Sequence, residues 1–207
     1  MNPWFLRSTI LIFSFKREFY FVLITFLGIL LLPFIAVILL THTGIDIVSD
    51  KLAKFDQSSK SVQLYYPTGQ PYKTLNTNVT WPVKGVITKE FGEPGLPYYL
   101  FHSGIDIANP YGKVGDEITP AMKGKVIYAG EIFWGFGKHI IIDNGDNVTT
   151  IYAHLDKIYT VSGKEVKPGD IIGREGTTGW STGPHLHFQI NVWGIPVNPR
   201  TFLGDSQ

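Results

Sequence analysis

Gly183-Pro184-His185-Leu186-His187-Phe188-Gln189-Ile190 sets two histidines two residues apart inside an otherwise apolar run. An extended strand has a side-chain period of two, so His185 and His187 project from one face and Leu186 and Phe188 from the other. Pro184 favours an extended conformation at Gly183, which suits a strand that begins there. Two imidazoles over one spot fit a metal site. The bland alternative is a pair of solvated histidines on a surface strand, and further ligands elsewhere in the chain would decide between them.

His102-Ser103-Gly104-Ile105-Asp106-Ile107 follows the same plan. In a strand His102, Gly104 and Asp106 share a face, with Ile105 and Ile107 on the other, and Gly104 leaves room for an ion. A helix would also bring i and i+4 together, but Gly104 and the turn at Asn109-Pro110 weigh against one. His102, Asp106 and one histidine of the later pair would supply two imidazoles and a carboxylate, with the fourth tetrahedral position open as in catalytic zinc sites. His154, after the apolar run Thr150-Ile151-Tyr152-Ala153, is a candidate supporting group beside such a metal. Metal-assisted hydrolysis needs a base or orienting group for the attacking water and a donor for the charge that builds on the carbonyl oxygen. Two histidines could divide that labour.

Composition bounds the rest. Of 207 residues 44% are hydrophobic, enough for a sizeable core, and a net charge of +1 with only 17% charged residues advertises no nucleic-acid surface. The absence of cysteine excludes disulfides, thiolate-ligated metals and a thiol nucleophile, so any metal must be held by His, Asp or Glu. Glycines and prolines gather after residue 80, which favours short strands joined by turns. The expected fold class is all-β and mostly antiparallel, with strands near 85–88, 103–107, 125–129, 139–143, 148–153, 170–173 and 186–192. One helical turn is expected at 155–159.

Upstream the texture differs. Residues 1–18 carry Arg7, Lys16, Arg17 and Glu18, and 19–40 hold no charge at all. As a helix the 22 residues cover about 33 Å, matching a hydrocarbon core of about 30 Å. The run is longer than a signal-peptide core and Ile38-Leu39-Leu40-Thr41-His42 offers no small-x-small cleavage site, which favours an uncleaved transmembrane helix. Lys16 and Arg17 abut the span whereas Lys51 lies about three helical turns beyond it, so the N-terminus is expected in the cytoplasm and the bulk of the chain outside. Residues 41–80 are polar and mixed, without heptad or alternation, and are expected to form a stalk leading to the domain at 81–207.

At this point residues 81–203 resemble the lysostaphin-like zinc endopeptidases, including LytM-type autolysins, which cut peptidoglycan. The resemblance rests on Phe101-His102-Ser103-Gly104-Ile105-Asp106, on Tyr152-Ala153-His154-Leu155, and on Gly179-Trp180-Ser181-Thr182-Gly183-Pro184-His185-Leu186-His187-Phe188, with Trp81-Pro82, Gly124-Lys125-Val126, Pro168-Gly169-Asp170 and Val197-Asn198-Pro199 in support. It implies a β-sheet groove with Zn²⁺ on its floor, bound by His102, Asp106 and His187. It makes His154 and His185 the catalytic histidines, His185 as base for the attacking water and His154 as transition-state stabiliser, though spacing alone does not say which removes the proton. The family also uses a tyrosine near the oxyanion, for which Tyr98 and Tyr99 stand just upstream of His102.

The expected function is therefore a membrane-anchored zinc endopeptidase acting on peptide cross-links of peptidoglycan. The alternative is a non-enzymatic wall-binding scaffold or an activator of another hydrolase, and an envelope machine is a further possible partner. Two histidines stay unassigned. His139 begins a strand-like run and is expected half-exposed. His42-Thr43-Gly44-Ile45-Asp46-Ile47 nearly copies the first ligand motif, but it abuts the apolar span without partner histidines and reads as coincidence; the other reading is a blocking ligand from the stalk.

Overall fold

The computed structural model describes residues 3–75, 79–94, 101–112 and 115–203, and their side chains except those of 3–17, 34, 38, 39 and 42. The chain divides into two compact units, 1–40 and 41–207.

The first unit is helical throughout its described length, as part of helix α1 (Pro3–Leu52). Within it Glu18–Val37 is long and apolar enough to cross a membrane, and none of that stretch is buried in protein. The hydroxyl of Thr25 donates to the Phe21 carbonyl at 2.8 Å, so this polar group is satisfied inside the helix.

The second unit begins with the last turns of α1 and continues into an antiparallel three-stranded sheet, β1 (Ala53–Asp56), β2 (Ser61–Tyr65) and β3 (Pro71–Leu75). This differs from the stalk expected over 41–80. The outer strands bury a single residue each, so their sequences carry no alternation to detect. What holds the sheet is its contribution to the main core: Leu52, Ala53, Val62, Leu64 and Leu75 are buried in one cluster with the rest of the unit. Polar contacts reinforce it, as Trp193 Nε1 donates to the Tyr65 carbonyl at 3.0 Å and the Asn198 amide donates to Ser49 Oγ at 2.8 Å. Tyr66 stacks on Trp193, ring centroids 5.4 Å apart.

The following strands are β4 (Val86–Lys89), β5 (Ile105–Ala108), β6 (Glu117–Ile118), β7 (Gly124–Glu131), β8 (Lys138–Gly145), β9 (Val148–Ala153), β10 (Lys157–Ile158), β11 (Glu165–Val166), β12 (Gly173–Arg174), β13 (Leu186–Val192) and β14 (Ile195–Val197), with a last helical turn α2 (Arg200–Leu203). The large sheet runs β11-β7-β8-β9-β13-β5-β4, with β14 on β13, and β10-β12-β6 form a smaller sheet. Every pairing is antiparallel. The helical turn expected at 155–159 is instead extended: the Asp156 amide donates to the Arg174 carbonyl and the Tyr159 amide to the Ile172 carbonyl, which ties the segment to β12. The strand expected at 170–173 starts only at Gly173, because Asp170 closes a turn on Lys167.

β13 is central, flanked by β9 and β5. One face carries Leu186, Phe188, Ile190 and Val192, all fully buried among Ile105, Ile107, Ile140, Ile142 and Tyr152. Burying each such side chain contributes about 1.5–3 kcal/mol. The opposite face carries His187, Gln189 and Asn191, and this face is the floor of a groove.

Close to β12, Glu175 is fully buried; its Oε1 receives the Asn109 amide at 3.4 Å and its Oε2 has no partner. Burial pushes the Glu175 carboxyl up from 4.5 to about 7, against the Asn109 N–H and with the nearby Asp116 charge adding to the rise. The folded state therefore binds the proton more tightly than the unfolded chain. The resulting stabilisation is complete below 4.5 and is lost as the pH rises through about 7. Glu175→Gln, a neutral isostere, is expected to raise the thermal midpoint at pH 8 by roughly 3 °C and to leave it unchanged near pH 4. Unfolding scans at the two pH values check this; equal shifts at both would rule out the titration.

Candidate metal centre

The antiparallel register sets Asp106 of β5 directly opposite His187 of β13, which on its other side faces Ala153 of β9. His102 stands just before β5, held by its amide to the Glu93 carbonyl at 2.7 Å and by the Gly92 amide to its own carbonyl at 2.8 Å. The three side chains meet: His102 Nε2, His187 Nδ1 and Asp106 Oδ1 form a triangle with each side 2.9 Å. All three residues are buried.

The hydrogen bonds around the triangle decide where the protons sit. His102 Nδ1 donates to the Glu90 carbonyl at 2.9 Å, so in the neutral ring Nε2 carries the lone pair. His187 Nε2 faces Gln189 Oε1 at 3.4 Å, an acceptor, which leaves the lone pair on Nδ1. Burial raises the Asp106 carboxyl, but with protons on the two facing ring nitrogens, the state of the site without a cation, the hydrogen bonds and charges of His102 and His187 overcome it and hold the group well below the usual carboxylate range. Two lone pairs and an anionic oxygen thus converge on one point. Such a set repels itself unless a cation or protons stand between, and two imidazole nitrogens with one carboxylate oxygen suit zinc.

Gly104 works differently from the expectation that it leaves room for an ion. A Cβ there would lie 2.3 Å from the Phe188 carbonyl oxygen and 3.0 Å from His187 Cε1, so glycine permits the close approach of the His102 segment to β13.

The remaining two histidines border the same spot. His154 leaves β9 with φ +61°, a left-handed conformation uncommon outside glycine. It is held there by its amide to the Phe136 carbonyl at 2.9 Å and by Nδ1–H to the Thr178 carbonyl at 2.8 Å, so Nε2 is the nitrogen left free to accept a proton. Burial, then the neighbouring rings of His187 and His185, push His154 down to about 3, and it is neutral at pH 7. His185 precedes β13, bridged to Gly176. Its Nδ1–H donates to the Gly183 carbonyl at 2.8 Å and its Nε2 lies 3.6 Å from Asp106 Oδ2. The His154 and His185 ring centroids are 4.8 Å apart.

These five residues lie in a groove of about 580 Å³ whose walls include Phe101, Ile132, Trp134, Phe136 and Trp180. The Trp134 and Trp180 loops are joined by the Trp180 amide to the Gly135 carbonyl at 2.8 Å. Gly179 and Gly137 pack so closely there that neither has space for a Cβ.

His139 is buried rather than half-exposed, stacked on Tyr128 with centroids 4.4 Å apart and donating Nδ1–H to the Gly137 carbonyl, away from the cluster. Tyr98, Tyr99 and the His42 side chain lie outside the described residues. Glu90, Thr178 and Gln189 enter the site without having been singled out in the sequence. For Gln189 the signal was present, because it continues the His185, His187 alternation by one more step; Glu90 and Thr178 act through backbone carbonyls, which no side-chain pattern marks.

Fold and site together define a lysostaphin-like β-groove domain with a candidate metal centre. The model of peptidase family M23 matches residues 100–199, and the catalytic domain of the antimicrobial peptidase lysostaphin from Staphylococcus simulans is 31% identical. That alignment has a TM-score of 0.53 and covers 58% of this chain and 93% of that domain. The chain belongs to peptidase family M23. The murein hydrolase activator NlpD of Escherichia coli (strain K12) is 38% identical over 125 residues, 59% of this chain and 30% of that protein. The DD-carboxypeptidase/endopeptidase Mpg of Neisseria gonorrhoeae (strain ATCC 700825 / FA 1090) is 37% identical over 116 residues, 55% of this chain and 26% of that protein. The chain thus spans less than a third of the length of these curated relatives.

Proposed function

We propose that this protein is a zinc-dependent endopeptidase of peptidoglycan peptides, anchored in the cell membrane by residues 19–40 with the domain outside the cytoplasm. The observation that carries the reading is the triangle of His102 Nε2, His187 Nδ1 and Asp106 Oδ1 with two further imidazoles beside it. Zinc held by His102, Asp106 and His187 would supply Lewis-acid polarisation of the scissile carbonyl and draw the pKa of water from 15.7 toward about 7. His185 is the base: its Nδ1–H is fixed on the Gly183 carbonyl, and Nε2, beside the Asp106 carboxylate, accepts the proton of the attacking water. The proton taken by His185 then passes to the departing amine nitrogen as the C–N bond breaks, while His154, kept neutral by burial with its Nδ1–H fixed on the Thr178 carbonyl, stabilises the transition state by accepting from the attacking water through Nε2 and so orienting it. The aromatic walls of the groove exclude water and grip the peptide.

The full-length chain in detergent is expected to release soluble fragments from purified sacculi, with the release stopped by a chelator and restored by zinc. Intact sacculi after incubation with zinc-loaded protein would overturn the proposal. A second reading has a specific support, the 38% identity to a protein named as a murein hydrolase activator. An activator would raise the rate of a separate wall hydrolase, and His185→Ala would do so as well as the unaltered chain.

A further inference from the structure

The two histidines of the metal triangle are oriented by unlike means. For His102 the partner of the distal nitrogen is a backbone carbonyl, that of Glu90, at 2.9 Å. His187 sits in the interior of β13 between β9 and β5, where the neighbouring backbone carbonyls are committed to the ladders and its ring stands away from the sheet. Its distal nitrogen must find a side chain, and the one it finds is two residues along the same face.

Gln189 is buried, and each end of its amide is engaged. Nε2 donates to Asn191 Oδ1 at 2.7 Å, and Asn191 Nδ2 in turn donates to Thr149 Oγ1 at 3.3 Å on β9. Oε1 receives Ser103 Oγ at 2.6 Å and faces His187 Nε2 at 3.4 Å. Ser103 stands next to the ligand His102, so this one amide oxygen joins both ligand segments. Turned the other way, the amide would present N–H groups to His187 Nε2 and force the ring proton onto Nδ1, the nitrogen that faces Asp106. The commitment of Nε2 to Asn191 opposes that turn.

We propose that Gln189 is the positioning residue for His187: through the chain Thr149–Asn191–Gln189 it presents an acceptor to His187 Nε2 and so keeps the lone pair of Nδ1 directed at the metal. The inference rests on the proposal that His102, Asp106 and His187 bind zinc. It goes beyond that proposal by assigning a determinant of metal affinity to a residue that touches neither metal nor substrate.

The test is zinc affinity, read by competition with a chromogenic chelator on the full-length chain in detergent, alongside the thermal midpoint of each metal-free variant. Gln189→Leu removes the acceptor and is expected to weaken zinc binding roughly 10–100-fold, the usual effect of losing a group that orients a ligand. Its metal-free midpoint should stay within about 3 °C of the unaltered chain, about 1 kcal/mol for a chain of this size. Gln189→Glu keeps an acceptor and should bind zinc within about 3-fold of the unaltered chain, well inside that loss. Asn191→Ala, one step further out, should cost less than Gln189→Leu and carries the test if the leucine variant fails to fold. Unchanged affinity in both Gln189→Leu and Asn191→Ala would overturn the assignment, as would a Gln189→Glu variant as weak as Gln189→Leu, which would make the role one of packing. An unaltered chain that binds no zinc would instead bring down the metal-site reading, and that arm is measured first.

Discussion

His185→Ala is expected to keep its metal and lose wall hydrolysis by about 10²–10⁴-fold, the range set by removal of a positioned base. His187→Ala is expected to lose the metal itself, well beyond the roughly 10–100-fold cost of a missing supporting contact. The two side chains share a face of one short segment, so the contrast between them tests geometry and not general disturbance. His187 Nδ1 is 2.9 Å from both His102 Nε2 and Asp106 Oδ1, whereas His185 Nε2 stands 3.6 Å from the other oxygen of Asp106. The first is a corner of the triangle and the second lies beside it. Metal content after dialysis, followed by digestion of sacculi with zinc-loaded protein, separates the outcomes. Equal release of metal by both variants would show that the two histidines do not divide the work in this way.

Gly104→Ala is expected to have a large effect on stability without touching a ligand's own side chain. Its Cβ would stand 2.3 Å from the Phe188 carbonyl oxygen, a backbone atom fixed in the middle of the sheet, so relief requires β5 and β13 to part. The expected cost is about 3 kcal/mol, at the upper end of overpacking penalties. The thermal midpoint should fall by roughly 6–12 °C. Metal affinity should fall too, because the same Cβ presses on His187 Cε1 at 3.0 Å. Gly183→Ala is the control, since nothing lies within 4 Å of its added methyl and neither property should change. An alanine at 104 that leaves both midpoint and affinity intact would mean that the strands yield more easily than their packing implies.

The parts of this fold that alternate strictly were legible in the sequence. β13 and β9 occupy the residues expected of them, 186–192 and 148–153: β13 has one uniformly apolar face, and in β9 Val148, Thr150 and Tyr152 share a wholly buried one. Two-residue strands such as β6, β10 and β12 have no period to read. The meander over 53–75 escaped for a related reason: its two outer strands are mostly exposed, and the buried Val62 and Leu64 of the strand between them gain meaning only against the core of residues far along the chain. In the site, the residues that offer side chains to one another were marked by spacing, and the structure brings all five together. The carbonyls of Glu90 and Thr178 leave no trace in residue type, and neither does the left-handed backbone that aims the His154 side chain.

The two faces of β13 also make the register of the sheet self-reporting. A slip of one residue against β5 would set Asp106 opposite Leu186 or Phe188 in place of His187, turn the apolar side chains into the groove, and drive Gln189 and Asn191 into the core. No such species could assemble the triangle of ligands. With metal held by these three residues as proposed, occupancy of the centre would count the correctly paired chains, and in a refolded preparation the bound metal per chain would measure the fraction with the proper strand alignment.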